Sequence, residues 1–166
     1  MVRHIVVAAM IIGAATVVMF AWSSSDEAKL VEIEMHSVRG EHFFDPVGLW
    51  VEPGTTIRFV LKGGVHDSQA YHPDNSTELM RFPAAEKPWN SGLLTETGDS
   101  FEVTLTEEGV YDYFCAPHEA VGMVGRIVVG DPDAAPAPPL DELPHELAQN
   151  VLPSVEDIVE QGVVDW

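Results

Sequence analysis

Apolar and polar residues alternate along several short segments in the middle of the chain, and this pattern predicts β-strands. Val31, Ile33 and Met35 alternate with polar residues, and a period of two places successive side chains on opposite faces of a strand. Further strands are expected at 55–61, 101–105, 110–114 and 126–129. Short strands separated by Gly and Pro turns are typical of an all-β, antiparallel sandwich or barrel.

The pattern changes on both sides of this β-rich body, and the changes divide the chain into four segments. They are an apolar segment at 1–22, a polar linker at 23–28, the body at 29–130 and an extension at 131–166. Within the body, residues 66–98 are less regular, so we expect loops there together with a short helix.

The N-terminal segment contains an apolar run from Ile5 to Trp22, which is 18 residues long and carries no formal charge. This length lies at the lower limit of a membrane-spanning helix and above that of a typical signal-peptide core. Arg3 precedes the run and acidic residues follow it, so we expect the N-terminus inside and the rest of the chain outside the cytoplasm. An uncleaved membrane anchor and a cleaved signal segment both remain open.

The extension begins with a Pro- and Ala-rich stretch at 131–139, which is expected to form a stiff linker. Apolar residues then recur at helical spacing, and Pro153 should divide them into two short helices. Two interpretations stay open. The helices dock on their own domain or stay mobile, or one of them binds another membrane subunit.

The chain is strongly acidic, with a formal net charge of -19 over 166 residues. Such a field repels phosphate groups, so we expect no binding of nucleic acid. The acidity is compatible with a solvated surface suited to a salt-rich, halophilic environment, and with a patch that attracts a basic partner. Acidic residues occur in both the body and the extension, which favours the solvated surface.

Cys115 is the only cysteine of the chain. A single cysteine excludes an intrachain disulfide framework and any zinc or iron–sulfur site that needs several thiolates from one chain. Three roles remain: an inert buried thiol, a nucleophile, or a single thiolate ligand of a metal.

Cys115, His118 and Met123 are spaced as C-x2-H-x4-M between two predicted strands, so they share one tight loop. Thiolate and imidazole in a plane, with a thioether at a longer axial distance, suit a copper ion that alternates between Cu(I) and Cu(II). A fourth ligand should come from elsewhere in the body. His66 is the best candidate, because it follows the strand at 55–61 and a strand end can lie at the same pole as the loop.

These residues resemble the plastocyanin-type cupredoxins, and most closely the halocyanin group of haloarchaeal blue copper proteins. The resemblance covers roughly residues 30–130 and is most specific in the loop from Cys115 to Met123 and its exit strand, Gly125-Arg126-Ile127-Val128-Val129. It extends to the segments 65–73 and 89–94.

The resemblance implies an eight-stranded Greek-key sandwich that binds one type 1 copper per chain. Its ligands would be His66, Cys115, His118 and Met123. It also implies that the protein shuttles electrons between membrane redox complexes, with no small-molecule substrate. In this family the partner docks on the apolar residues around the second histidine ligand, here Pro117, Ala120, Val121 and Gly122, which we call the apolar rim.

One residue departs from the family pattern. Plastocyanin-like proteins usually have Asn after the first histidine ligand, and its side chain braces the copper loop. Asp67 stands there in this chain. An ionised Asp67 that faces the site would accept hydrogen bonds without donating any, and its charge would lower the reduction potential.

The other histidines receive simpler interpretations. His72 is a weaker candidate ligand than His66, with a surface or supporting role as the alternative. His36 and His42 are expected to face solvent, and His145 should lie on a helix surface.

Three other functions compete with that of an electron carrier. A copper oxidase or reductase needs a second copper centre, and the body shows one cluster. Copper storage or delivery needs an exposed, exchangeable site rich in Met or His, which the chain lacks. A copper-binding subunit of a membrane oxidoreductase complex also remains, but a two-copper centre would need two bridging thiolates.

Overall fold

The computed structural model describes residues 29–166, which form two packed β-sheets and a C-terminal extension. The leader at 1–22 and the linker at 23–28 lie outside the described residues. Nine strands occur in the described part: β1 Leu30–Val38, β2 Glu41–Asp45, β3 Gly48–Val51, β4 Thr55–Leu61, β5 Gln69–Ala70, β6 Ser100–Leu105, β7 Gly109–Phe114, β8 Val124–Val129 and β9 Val163–Val164.

The first sheet has the order β2-β1-β4-β6 and follows the alternation of the sequence closely. In β4, Ile57, Phe59 and Leu61 are fully buried, whereas Arg58 faces outward and pairs with Glu102 on β6. The buried side chains of this sheet pack against those of the second sheet to form the main core. The predicted strand positions in this sheet are therefore confirmed.

The second sheet has the order β5-β7-β8-β3-β9, and its two central strands are buried along their whole length. One face of β7 and β8 meets the first sheet, and the extension covers the other face. Val110 and Val128 pack against Ile158 of the extension, and Phe114 packs in a second cluster with Leu152. A strand that is covered on both faces loses the apolar–polar alternation, which β7 and β8 do.

Two of the strand pairings in the described chain are parallel, β1 with β4 and β3 with β8. The expectation of an antiparallel sandwich or barrel is wrong for these two pairings. The chain leaves the first sheet after β2, adds β3 to the second sheet and then returns to the first as β4. Because each return crosses between sheets, the paired strands can run in the same direction.

The extension is docked on the body rather than hanging from it. It contains two short helices, α1 Glu146–Val151 and α2 Val155–Gln161, and Pro153 lies between them as the sequence predicts. β9 then pairs antiparallel with the edge strand β3. Of the two interpretations left open by the sequence, the described contacts match docking on the same domain.

A buried ion cluster fastens the extension to the second sheet. Asp112 of β7 accepts hydrogen bonds from the guanidinium groups of Arg81 and Arg126, at 2.7 to 3.0 Å. All three side chains are almost completely buried. Other guanidinium N–H groups of the two arginines donate to the carbonyl oxygens of residues 138, 139 and 153, at 2.8 to 2.9 Å. The two arginines therefore bridge the sheet and the extension.

The helix expected within residues 66–98 is absent, and so is a membrane-spanning helix within the described residues. Residues 66–98 form loops and the short strand β5, without the helix that we expected there. Prolines at 73, 83 and 88 lack the N–H that a helix interior requires. None of the helices within 29–166 has the length and apolar character needed to cross a membrane.

Candidate metal centre

The loop between β7 and β8 is closed by backbone hydrogen bonds between its three candidate ligands. Cys115 directly follows β7, and Met123 directly precedes β8. The Cys115 N–H donates to the Met123 carbonyl at 3.0 Å, and the Met123 N–H donates to the His118 carbonyl at 3.1 Å. The His118 N–H in turn donates to the Cys115 carbonyl at 2.9 Å. The side chains thus leave a rigid loop at one pole of the sandwich.

His66 reaches the same pole from the segment after β4. It exchanges two backbone hydrogen bonds with Leu94, which fix its position across the sheet end. Gly64 precedes it with φ of +89°, a conformation that glycine adopts without strain. A Cβ atom at this position would overlap the Ser37 hydroxyl and lie 2.8 Å from His66 Nε2, so a larger residue would displace the imidazole.

Three potential ligand atoms converge at this pole. His66 Nδ1 lies 3.1 Å from His118 Nδ1, and Cys115 Sγ lies 3.6 Å and 3.4 Å from these two nitrogens. The point equidistant from the three atoms is about 2 Å from each, close to the usual bond lengths from a first-row metal to imidazole and thiolate. The residues present therefore fit a single metal ion of that kind.

Met123 lies at the base of the same loop with its side chain fully buried. The backbone bonds to Cys115 and His118 hold it beside the other candidate ligands. Ligation by the Met123 thioether remains a prediction.

Burial sets the protonation of these groups in the metal-free protein. It raises the pKa of the Cys115 thiol to about 12, so the thiol keeps its proton at neutral pH. Burial, with charge repulsion from His118 and His42, lowers the pKa of His66 to about 4. The pKa of His118 is also lowered, first by burial and then by His42. The imidazoles are therefore neutral and can bind a cation. The thiol loses its proton only when a cation is present to stabilise the thiolate.

Asp67 braces the loop as the residue after the first candidate ligand. Its Oδ1 accepts a hydrogen bond of 2.7 Å from the Ala116 N–H, directly after Cys115. Its Oδ2 accepts one of 2.8 Å from the Gln69 side chain. Asp67 is 3 % exposed, so little water lies around the carboxylate to screen its charge from the site.

His42 lies beside the site, and the expectation that it faces solvent is wrong. Its ring stacks on His118 with a centroid separation of 4.0 Å and an interplanar angle of 8°. Its Nδ1 lies 2.8 Å from the Ser37 hydroxyl, which also lies 2.9 Å from His66 Nε2. When His66 uses Nδ1 for a metal, its Nε2–H donates to Ser37, and the hydroxyl can donate to His42.

The feature that could have placed His42 beside the site is the register of the hairpin formed by β1 and β2. β1 and β2 pair so that Ser37 stands opposite His42, and the two residues of the turn, Arg39 and Gly40, both have positive φ. A two-residue turn of this type fixes that register. The two imidazoles of His42 and His66 are 24 positions apart in sequence, so spacing alone did not connect them.

The remaining histidines lie elsewhere. His36 is half-buried rather than facing solvent, since it stacks on Phe43 and bonds to Glu34 at 2.9 Å. His72 contacts Phe82 and the backbone of Asp74, away from the three converging atoms. Among the described residues, the histidines that come together are 42, 66 and 118, whose ligand atoms lie within 4.8 Å of one another.

Comparison with known sequences gives a consistent picture. Residues 31–130 match the family described as copper binding proteins, plastocyanin/azurin family. The chain is 31% identical to chloroplastic plastocyanin of Silene latifolia subsp. alba over 102 residues, which are 61% of this chain and 61% of that protein. It is 33% identical to plastocyanin A/B of Petroselinum crispum over 98 residues, which are 59% of this chain and 98% of that protein.

Comparison with solved structures extends the similarity beyond the body. A pseudoazurin from Sinorhizobium meliloti is similar with a TM-score of 0.55 at 26% identity, covering 81% of this chain and 98% of that one. The covered share is larger than residues 1–130 can supply, so the likeness reaches into the extension.

Proposed function

Since the chain belongs to the plastocyanin/azurin family of copper-binding proteins, we propose that it carries single electrons between membrane redox complexes outside the cytoplasm. Copper is the cofactor, and when bound it supplies the Cu(I)/Cu(II) couple. The observation that carries the proposal is the convergence of Cys115 Sγ with the Nδ1 atoms of His66 and His118. Proteins of this family are electron carriers rather than enzymes.

We assign His66, Cys115, His118 and Met123 as the residues that would hold the copper ion. The thiolate favours the reduced ion, while the imidazoles bind both oxidation states. The loop bonds and the Asp67 contact keep these side chains in place when the charge changes. A site that rearranges little on electron transfer allows that transfer to be fast.

The electron enters and leaves through the His118 edge. Cys115 and His66 are fully buried, whereas His118 is half-exposed within the apolar rim. A partner that docks on the rim would bring its own cofactor close to this imidazole. The apolar segment 1–22 and the acidic residues that follow it in the sequence support an exported or membrane-anchored location. The resemblance of the loop and of segments 65–73 and 89–94 supports kinship with the halocyanins within the family.

Copper storage or delivery and a subunit of a membrane oxidoreductase are the competing proposals. The buried thiol and the backbone-closed loop favour a copper that exchanges slowly. Copper analysis and stopped-flow measurements on the loaded protein test the choice. A carrier holds one copper per chain, exchanges electrons rapidly and reversibly with small redox complexes, and loses copper slowly to a chelator. Rapid copper loss with slow electron exchange would support delivery instead.

Copper binding should release about one proton per chain at pH 7. Cys115 carries the proton that must leave, because its pKa is raised to about 12. His66 contributes none at this pH, because its pKa is lowered to about 4. Below about pH 4 the count should rise, since His66 is then protonated before binding. Titration of metal-free protein with Cu(II) in weakly buffered solution measures the count, and release of no proton at pH 7 would contradict the thiolate assignment.

An Asp67→Asn variant should have a higher reduction potential. In a protein interior with an effective dielectric constant of about 20, a buried unit charge next to the site changes the potential by on the order of 100 mV. Asn can still accept from the Ala116 N–H, although its amide then faces the Gln69 amide. Voltammetry gives the potential, and Glu52→Gln, a surface change near the opposite pole, is the control. An unchanged potential in Asp67→Asn would show that this carboxylate does not act on the metal.

A further inference from the structure

Leu147 on helix α1 lies next to the apolar rim although it belongs to the extension. A Cβ atom placed on Gly122 would lie 3.5 Å from Leu147 Cβ and 3.3 Å from Val151 Cγ2, so the helix packs directly on the rim. Leu147 is 53% exposed, and Val121 of the rim is also 53% exposed. These side chains therefore present one apolar surface formed by two distant parts of the chain.

Helix α1 is held firmly in this position. Its Ala148 is buried with Leu143 and Leu152 against Phe114 and Val124 of the second sheet. On the rim side, Glu119 accepts a hydrogen bond of 2.7 Å from the buried Tyr71 hydroxyl. Both halves of the surface are thus fixed to the same rigid core, so Leu147 faces solvent in a defined place.

The charge beside Leu147 has one sign. Asp141, Glu142 and Glu146 are exposed in the segment that leads into Leu147. The whole extension contains nine acidic residues and no Lys or Arg. A surface with an apolar centre and acidic margin complements one with an apolar centre and a basic margin.

We propose that Leu147 and the acidic residues before it form, with the apolar rim, the docking surface for a basic redox protein whose cofactor edge lies in an apolar patch ringed by Lys or Arg. The inference rests on the proposed function of the site. It adds that the extension, and not only the copper loop, selects the partner. Burial of Leu147 supplies affinity, and the acidic margin supplies attraction at long range.

Paired variants of the full chain test this surface. Leu147→Gln removes an apolar side chain beside the rim, and Val159→Gln likewise replaces an apolar side chain with Gln, at a residue on α2 that is 49% exposed. Gln is tolerated in helices about as well as Leu. The electron-exchange rate constant with a basic c-type cytochrome is measured in the downhill direction for both variants and the parent protein. A small ruthenium ammine complex serves as a second reagent that needs no extended contact.

We expect Leu147→Gln to lower the cytochrome rate constant by roughly five- to tenfold. Its rate with the ruthenium complex should not change, and Val159→Gln should leave both rates unchanged. Added salt should lower the cytochrome rate of the parent protein, because opposite charges are screened. Equal cytochrome rates in Leu147→Gln and the parent protein, or a rate that rises with salt, would overturn the inference.

Two outcomes separate this inference from the proposed function. A parent protein that fails to exchange electrons with the ruthenium complex would count against the function itself. NMR spectra of the reduced parent protein give a second measurement that needs no variant, because they record the chemical shift of each backbone amide. On adding the cytochrome, signals of residues 146–151 should shift and those of 155–161 should not, and the reverse pattern would place docking elsewhere.

Discussion

Replacing Asp112 with Asn is expected to lower the free energy of unfolding by about 3–5 kcal/mol. The carboxylate is the counter-charge for two buried guanidinium groups, Arg81 and Arg126. Asn would leave both cations buried without compensation, and its amide N–H2 would face other donors. Equilibrium unfolding in denaturant, followed by tryptophan fluorescence, measures the change.

The surface pair of Arg58 and Glu102 provides a matched control. The Arg58 Nε lies 2.7 Å from Glu102 Oε1, yet both side chains are open to solvent. Glu102→Gln should therefore cost no more than about 1 kcal/mol. A similar small loss in Asp112→Asn would mean that the buried cluster contributes little to stability.

The same Asp112→Asn variant should loosen the extension before the sandwich unfolds. The two arginines also hold the carbonyl oxygens of residues 138, 139 and 153. Without the carboxylate to orient them, these bonds weaken together. Limited proteolysis should then cleave the extension faster in the variant than in Glu102→Gln.

Replacing Cys115 with Ser should abolish the intense visible absorption of the copper-loaded protein and greatly weaken copper binding. That absorption arises from charge transfer between thiolate and Cu(II), which a hydroxyl cannot reproduce. Serine also offers a hard, protonated oxygen where the reduced ion prefers a soft sulfur. The visible spectrum and a competitive copper titration measure both effects.

His72→Asn is the control for this experiment, because His72 was the weaker candidate ligand in the sequence. It bonds to the Asp74 N–H at 3.1 Å and lies outside the histidine cluster. The variant should keep the spectrum and the copper affinity of the parent protein. Loss of colour in His72→Asn, or its retention in Cys115→Ser, would refute the assigned ligand set.

Local sequence patterns were sufficient for β1, β4, β6, β7, β8 and the loop, whereas β2, β3, β5 and β9 were not predicted. The alternation around Ile57 and Phe59 predicts that one face of β4 is buried, and the structure buries that face. The C-x2-H-x4-M spacing lies within one short loop, so its closure depends on few residues. Periodicity and short-range spacing both act within about ten residues, where sequence separation and distance in space are closely related.

Features that depend on long-range packing were not accessible from these patterns. The stacking of His42 on His118 requires the hairpin register and the meeting of two sheets at one pole. The interaction of Asp112 with Arg81 joins residues from a strand and a loop, and nothing in the local composition marks them as a buried pair. The parallel pairings likewise follow from chain crossings between the sheets.

The docking of the extension was open in the sequence for a similar reason. Its acidity and short helices are compatible with a mobile tail, because each helix alone is too short to be stable. What decides the outcome is burial of Ile158 and Leu152 against the outer face of the second sheet. The available signal was that, apart from Asp112 and Arg126, β7 and β8 carry apolar residues at both phases of the strand, and such a strand needs a cover on both faces.

The visible and electron-spin spectra of the copper(II)-loaded protein test the central claim most directly, because they report on the atoms bound to the ion. Convergence of one sulfur and two imidazoles at the pole of the sandwich predicts a single copper with a strong thiolate band and a narrow hyperfine splitting. A nearly colourless protein whose copper has a wide hyperfine splitting, as imidazole and water ligands alone produce, would contradict it.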